Sequence, residues 1–292
     1  MKRATRVPIR RGNVIRRKVQ VPSNIQLPPY AYDGYAPSVL TAPFAVFKLD
    51  GPEIRAIRNS AKYAAEGREF VASLVEVGTT TEEIDEKLTS FFLDRSVFPS
   101  PINYMGFPKS LCASVNEVML HGIPDDRPLE DGDLVKLDVS CYVNGFHGDN
   151  CITVPCGTLD EQAQRLYNDS KKCFEKCIEM CGPGVPVREV GNFVSGWCEV
   201  NGYDTNRDFS GHGIGQLLHM RPLVMHCRNS DPTIMEPGMV FTIEPIISEG
   251  SAVSAEVWDD GWTYCTKDGS WATQFEHMVL ITENGHEILT KV

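Results

Sequence analysis

The sequence predicts an α+β fold in which two similar halves share one core. Two observations carry this reading. Hydrophobic periodicity along the 292 residues runs helix, helix, strands, helix, helix, strands, a crude two-fold repetition of pattern without a detectable repeat of sequence. A hydrophobic fraction of 42% is enough for a sizeable packed core.

The chain divides at about residue 50. Residues 1–49 read as a basic, proline-containing N-terminal arm and residues 50–292 as the folded domain. Residues 1–32 hold eight Lys or Arg and no acid, whereas the remainder has 20 basic against 39 acidic residues. The stretch MKRATRVPIRRGNVIRRKVQ suits a flexible solvated arm, an RNA or ribosome contact, or a mitochondrial presequence, and these three stay open. VPSNIQLPPYAYDGYAP after it reads as extended and proline-rich rather than as an amphipathic helix.

Two helices come next. GPEIRAIRNSAKYAAEGREFVASLVE places Ile54, Ile57, Ala61 and Ala64 at intervals of three and four, and TTTEEIDEKLTSFFLDR begins with threonine caps and first-turn glutamates. SLCASVNEVMLHGIPDDRPLEDGD leads into a hairpin, LVKLDVSCYVNGFHGDNCITV. Helices follow over 159–181 and 186–202, and strands return over Val240 to Ser248 and Gln274 to Thr282. The ten cysteines, in a chain with no export signal, read as reduced thiols. Cys173, Cys177 and Cys181 recur every four residues without a CxxC pair, which predicts one buried helix stripe.

The hairpin carries two aspartates among residues that look internal. Asn144-Gly145 forms a strong two-residue turn because both positions accept positive φ, and this fixes Ser140 opposite Asp149. Asp138 lies on the same side as Ser140, so it meets Asp149 diagonally at roughly 7–8 Å between backbones. Like charges converging away from water need a proton or a cation between them, unless the face is simply exposed and solvated. Glu244 in VFTIEPII and Glu276 in QFEHMVLIT add two more acids within apolar strands, and four unpaired buried carboxylates are a rare coincidence. In SGHGIGQLLH, three glycines surround a loop histidine, His212, which suits a backbone that approaches something closely.

The words VNEVMLHGIPD, LDVSCYVNGFHGD, GHGIG with His219 after it, FTIEP, DGWT and TQFEH occur in one order from about Asp50 to the end. In this the chain resembles the type 1 methionine aminopeptidases. The 31 residues from Gly213 to Ile243 leave no room for the insertion of the type 2 relatives. FPSPINYMGFPKS resembles the eukaryotic branch, whose frequent N-terminal zinc module has no counterpart here, since no cysteine precedes Cys112. The resemblance implies the pita-bread fold, two pseudo-symmetric halves with a curved, mainly antiparallel sheet covered by helices, and makes residues 50–292 a metallopeptidase catalytic domain.

By position, the resemblance implies a two-metal site held by Asp138, Asp149, His212, Glu244 and Glu276, with Asp149 and Glu276 touching both ions. Oxygen-rich ligation with one imidazole suits cobalt, manganese, iron or zinc. The implied reaction is removal of an N-terminal methionine before a small second residue by metal-activated water, with Glu244 as general base, His219 stabilising the oxyanion and His121 bonding the scissile amide. Alone, His121 would be a loop histidine before Gly-Ile-Pro and His219 an ordinary helix-end residue. Tyr104, Phe107, Cys112, Trp262 and Leu218 are implied around the methionine side chain, Leu218 standing where relatives commonly have Phe. Asn116 and Val118 match a segment that in relatives holds a monovalent cation. His147, on the same hairpin face as Asp149, is expected to be supporting structure.

The implied partners are nascent polypeptides starting with Met, with a ribosome contact through the arm as a further candidate and a monomer as the expected state. No apolar run reaches about 18 residues and no signal-type segment opens the chain, so a membrane span and export are not expected. The cytoplasm is the expected location, with the mitochondrion as the alternative. Two competing functions are a binding protein of the same fold acting on ribosomes or RNA, against which stands the full ligand set, and a prolidase-like enzyme, which usually carries a substantial extra N-terminal domain.

Overall fold

The computed structural model of the chain describes residues 6–251 and 255–292. α1 (Tyr30–Asp33) is a single turn within the arm. α2 (Pro52–Ala72) and α3 (Thr81–Leu93) precede three short strands, β1 (Phe98–Pro99), β2 (Cys112–Val115) and β3 (Val118–Leu120). The long hairpin is β4 (Leu134–Val143) with β5 (Phe146–Pro155), followed by α4 (Glu161–Glu179) and α5 (Arg188–Asn201). The second half continues with β6 (Asp204–Thr205), β7 (Ser210–Gly213), β8 (Met220–Met225), β9 (Val240–Ile243) and β10 (Ile246–Ser248). It closes with β11 (Ala255–Val257), β12 (Tyr264–Thr266), β13 (Ala272–Gln274), β14 (His277–Thr282) and β15 (Gly285–Ile288).

Local signals account for the helices. Pro52 at the first position of α2 needs no N–H partner, and Thr80 caps α3 in a reciprocal box with Glu83. Asp160 caps α4 by accepting from the Ala163 N–H at 2.7 Å. In the first half, Ala64 and Val71 of α2 and Ile84, Leu88 and Phe92 of α3 bury against Leu137, Val139 and Cys141 of β4. In the second, Cys173 and Cys177 of α4, with Cys181 just beyond it, pack with Phe241, Val279 and Ile281, so the cysteine stripe is core. Burying each such side chain contributes roughly 1.5–3 kcal/mol of transfer free energy.

The hairpin register is the one its turn predicts. Ser140 pairs with Asp149 and Asp138 with Cys151, and Asn144 and Gly145 take φ of 56° and 85°. The two late strands differ from expectation. Each breaks into two pieces at its glutamate: β9 and β14 pair within a five-stranded sheet, β10 and β13 within a three-stranded one. The register of Ile243 with His277 continues into that of Ile246 with Gln274, so Glu244 stands opposite Glu276 where both chains cross between sheets. Pro245 lacks a ladder N–H, which favours a break there. Backbone bonds in both directions between Cys151 and Glu276 (2.9 and 3.4 Å) stitch this crossing to β5. The two halves therefore meet where their acids are.

The arm runs over the domain and is fastened to it, which corrects the picture of a solvated tail for the described residues. Arg6 pairs with Asp160 and the buried Glu249, Arg11 with Asp260, and Arg17 with Glu82, Asp85 and Glu86. Ile25 and Tyr30 bury against Phe98 and Tyr142. The positive arm neutralises acids of a negative body, and its apolar residues close the outer face of β1 and β4. Among the described residues, no helix is long and apolar enough to cross a membrane.

Candidate active site

Asp138 and Asp149 project from β4 and β5, and their carboxyls lie close enough to influence each other's protonation. His212 comes from β7, a strand rather than the expected loop. Its glycine neighbours make the strand fit: a Cβ on Gly211 would lie 2.2 Å from the Thr242 carbonyl oxygen, and one on Gly213 2.2 Å from that of Arg221. His212 Nε2 stands 3.8 Å from Asp149 Oδ2 and 3.5 Å from Glu244 Oε1. Ligand atoms of Asp149, His212 and Glu276 all lie within 4.8 Å of one another. All five expected ligands thus share one focus.

The electrostatics of this focus call for positive charge. Burial, reinforced by the neighbouring acids, lifts Asp149 and Glu276 well above the carboxylate range and Glu244 to about 8; burial lifts Asp138 to about 7. Asp149 Oδ1 and Glu276 Oε1 are buried without a hydrogen-bond partner. The His212 Nδ1–H is aimed at the Gly213 carbonyl oxygen at 3.1 Å, which leaves the Nε2 lone pair facing the acids. Orphaned carboxylate oxygens around an imidazole lone pair fit a divalent cation.

Glu244 is held differently from the others. The Thr242 hydroxyl donates to its Oε1 at 2.7 Å and the Gln274 amide to its Oε2 at 3.2 Å, while its backbone N–H donates to His226 Nε2 at 3.1 Å. Sequence reasoning missed these three supports, although Thr242 and Gln274 lie two residues from their glutamates, at the alternation distance that keeps side chains on one face.

Beside the acids opens a cleft of about 620 Å³ whose wall includes Tyr104, Phe107, Cys112, Leu218 and Trp262, all five of the residues expected there. His121 and His219 line it too. Phe107 and Trp262 meet edge to face at 5.1 Å. Phe209 also lines the cleft and meets His121 at 5.8 Å; so does the arm segment 35–39, and neither was anticipated. His219, in the loop before β8, has its Nδ1 2.6 Å from the Tyr104 hydroxyl. Burial holds His121 down to about 4 and His219 well below its ordinary value, the latter also pushed by His212, so both rings are neutral near neutral pH. His147 bonds Ser100 at 2.8 Å and packs between Tyr30 and Tyr142, within the wall behind Asp149.

At Asn116, one of the two residues expected beside a monovalent cation, the polar atoms already have partners within the chain. The Asn116 side chain is used up by Asp133 (2.7 Å) and by the Leu134 N–H (2.9 Å), and its carbonyl oxygen already accepts from the Lys136 ammonium at 2.9 Å. Val118 pairs with Cys265 in the β3–β12 ladder. The Asn116 oxygens are therefore taken up by the chain's own donors.

Residues 55–283 match metallopeptidase family M24. The chain belongs to that family. Within it, the chain groups with the methionine aminopeptidases. It is 43% identical to methionine aminopeptidase 1D, chloroplastic/mitochondrial, of Arabidopsis thaliana, over 97% of this chain and 79% of that one. It is 41% identical to methionine aminopeptidase 1D, mitochondrial, of Dictyostelium discoideum, over 96% of this chain and 70% of that one. The crystal structure of methionine aminopeptidase from Thermotoga maritima superposes with a TM-score of 0.82 at 32% identity, covering 86% of this chain and all of that one. The pita-bread architecture and the metallopeptidase class expected from the sequence are therefore those of the molecule, and the non-catalytic reading finds no support.

Proposed function

We propose that this chain removes the first methionine from nascent polypeptides and peptides whose second residue is small, by hydrolysing the first peptide bond. The observation that carries the reading is the convergence of Asp149, His212 and Glu276 with Glu244 on the floor of an apolar cleft that two neutral histidines also line. Asp138, Asp149, His212, Glu244 and Glu276 would hold two divalent cations, whether cobalt, manganese, iron or zinc. Such ions, when bound, supply Lewis acidity and make a water a nucleophile near neutral pH.

The side chains do the rest. Glu244, aimed by Thr242 and Gln274, accepts the proton of the attacking water and passes it to the leaving amine. Burial raises Tyr104 to about 12, so its phenol stays protonated and donates to His219 Nδ1. That bond fixes the tautomer with the proton on Nε2, where His219 donates to the carbonyl oxygen as it gains charge. His121, hemmed in by Phe209, Trp262 and Tyr264 rings at 5.8 to 6.1 Å, bonds the scissile amide. Phe107, Cys112, Leu218 and Trp262 receive the methionine side chain, whose flexible thioether suits an apolar slot.

The arm serves as a strap for the catalytic domain. Its Arg6, Arg11 and Arg17 are engaged with the body, which weakens the ribosome-contact reading. The organellar names of the two relatives favour the mitochondrial location over the cytoplasmic one. The deciding assay is release of free methionine from a Met-Ala-Ser peptide after chelation and re-addition of single divalent metals, with His212→Ala alongside. Activity restored by metal in the wild type and absent in the variant is expected; a wild type inactive with every metal, or a variant equally active, overturns the reading.

A further inference from the structure

Lys136 lies on β4 two residues before Asp138, on the same side of the strand, and is 1% exposed. A fully buried lysine needs compensation, and this one finds it in main-chain oxygens. Its ammonium donates to the Asn116 carbonyl at 2.9 Å and to the Ala272 carbonyl at 2.8 Å. Asn116 sits in the turn between β2 and β3 with φ of 53°, a left-handed conformation that directs the turn, and its carbonyl also accepts from the Ala272 N–H at 3.1 Å. Burial pulls the amine down to about 7, and Glu117, Cys151 and Asp133 around it work the other way, favouring its charged form.

We propose that the Lys136 ammonium is a tethered internal cation that takes the Asn116 carbonyl expected to bind a free monovalent ion, so that this chain binds and requires no alkali cation. A dissolved ion must shed its water, gives up translational freedom and leaves as salt falls, whereas a side chain is present at every ionic strength. Lysine suits the task because its ammonium is a compact charge with three donors, able to meet one carbonyl from a turn and another from a strand. The amine ties three segments that feed the active site: β2–β3, which leads to His121; β4, which bears Asp138; and β13, which leads to Gln274 and Glu276. Lys136 is thus a positioning residue.

The test compares thermal unfolding of the metal-loaded full chain in potassium, sodium and choline chloride at equal ionic strength, with Tl⁺ binding by thallium NMR in nitrate buffer. The wild type should melt at one temperature in all three salts and bind no Tl⁺. Lys136→Ala, which frees the carbonyls and opens space beside them, should melt lower in choline and recover by several degrees in potassium or sodium. Lys136→Met fills the space without an amine and should be destabilised equally in all salts. Selective stabilisation of the wild type by an alkali ion, or Tl⁺ binding to it, overturns the proposal, and this arm decides even if neither variant folds. A folded Lys136→Ala indifferent to every alkali ion also overturns it.

Discussion

Removing the divalent cations should make stability fall as pH rises through neutrality, and only then. Each acid of the site has a folded-state pKa above its unfolded value, so the stability it contributes is complete below about pH 4 and is lost as pH climbs through the folded value. For Glu244 that value is about 8, and Asp149 and Glu276 lie well above the usual range. The buried histidines, half protonated at about pH 6.5 in the unfolded chain only, add stability as pH rises to about 7.5, and they do so in the chelated and metal-loaded protein alike. Between about pH 6.5 and about pH 8, each carboxyl still protonated in the fold then costs about 1.4 kcal/mol per pH unit, or about 2 kcal/mol across the window. Glu244 alone should lower the urea midpoint of the chelated protein by about 1 M, and further acids add to this. Bound cations replace the protons, so the metal-loaded protein should show no such fall. Urea titrations at both pH values, with a chelator or with saturating manganese, measure the difference, from which groups outside the site cancel. Equal pH dependence with and without metal would refute the reasoning.

Tyr104→Phe removes the hydrogen bond that sets the His219 tautomer and should lower kcat about tenfold or more with a smaller change in KM, read by methionine release. Gly211→Ala drives a methyl to 2.2 Å from the Thr242 carbonyl oxygen; unfolding should occur at least about 3 kcal/mol more easily and bound metal should be lost, since His212 moves with the strand. Arg6→Ala strands the buried Glu249 and removes the cation stacked 3.9 Å from the Trp271 ring, so denaturant titration should register a loss of about 3 kcal/mol. A neutral effect there would mean that the arm is not a structural strap.

What could be read from the sequence was local. An Asn-Gly turn dictates strand pairing without outside help, so the meeting of Asp138 and Asp149 was legible in advance, as were helices whose caps lie within their own first turn. The crossing at Glu244 and Glu276 was not, because an apolar run interrupted by one acid reads as a continuous strand; only the partner sheets break it. The His212 strand was hidden by the glycines that permit it, since glycine in isolation signals a loop. Where the arm attaches was not legible, because its partners, such as Glu249 for Arg6, stand 243 residues away. Lys136 did leave a trace: it shares the inward parity of Asp138, and an inward lysine two residues from an inward acid needs a partner of its own.

The central claim is that five side chains from both halves hold two divalent ions. Counting manganese by elemental analysis after equilibrium dialysis tests it most directly. The account predicts two ions per wild-type chain at saturation and a marked loss in Glu276→Gln, which keeps shape but removes the charge of a residue implied to touch both ions. A wild type that retains none, or a variant that retains the full complement, would contradict it.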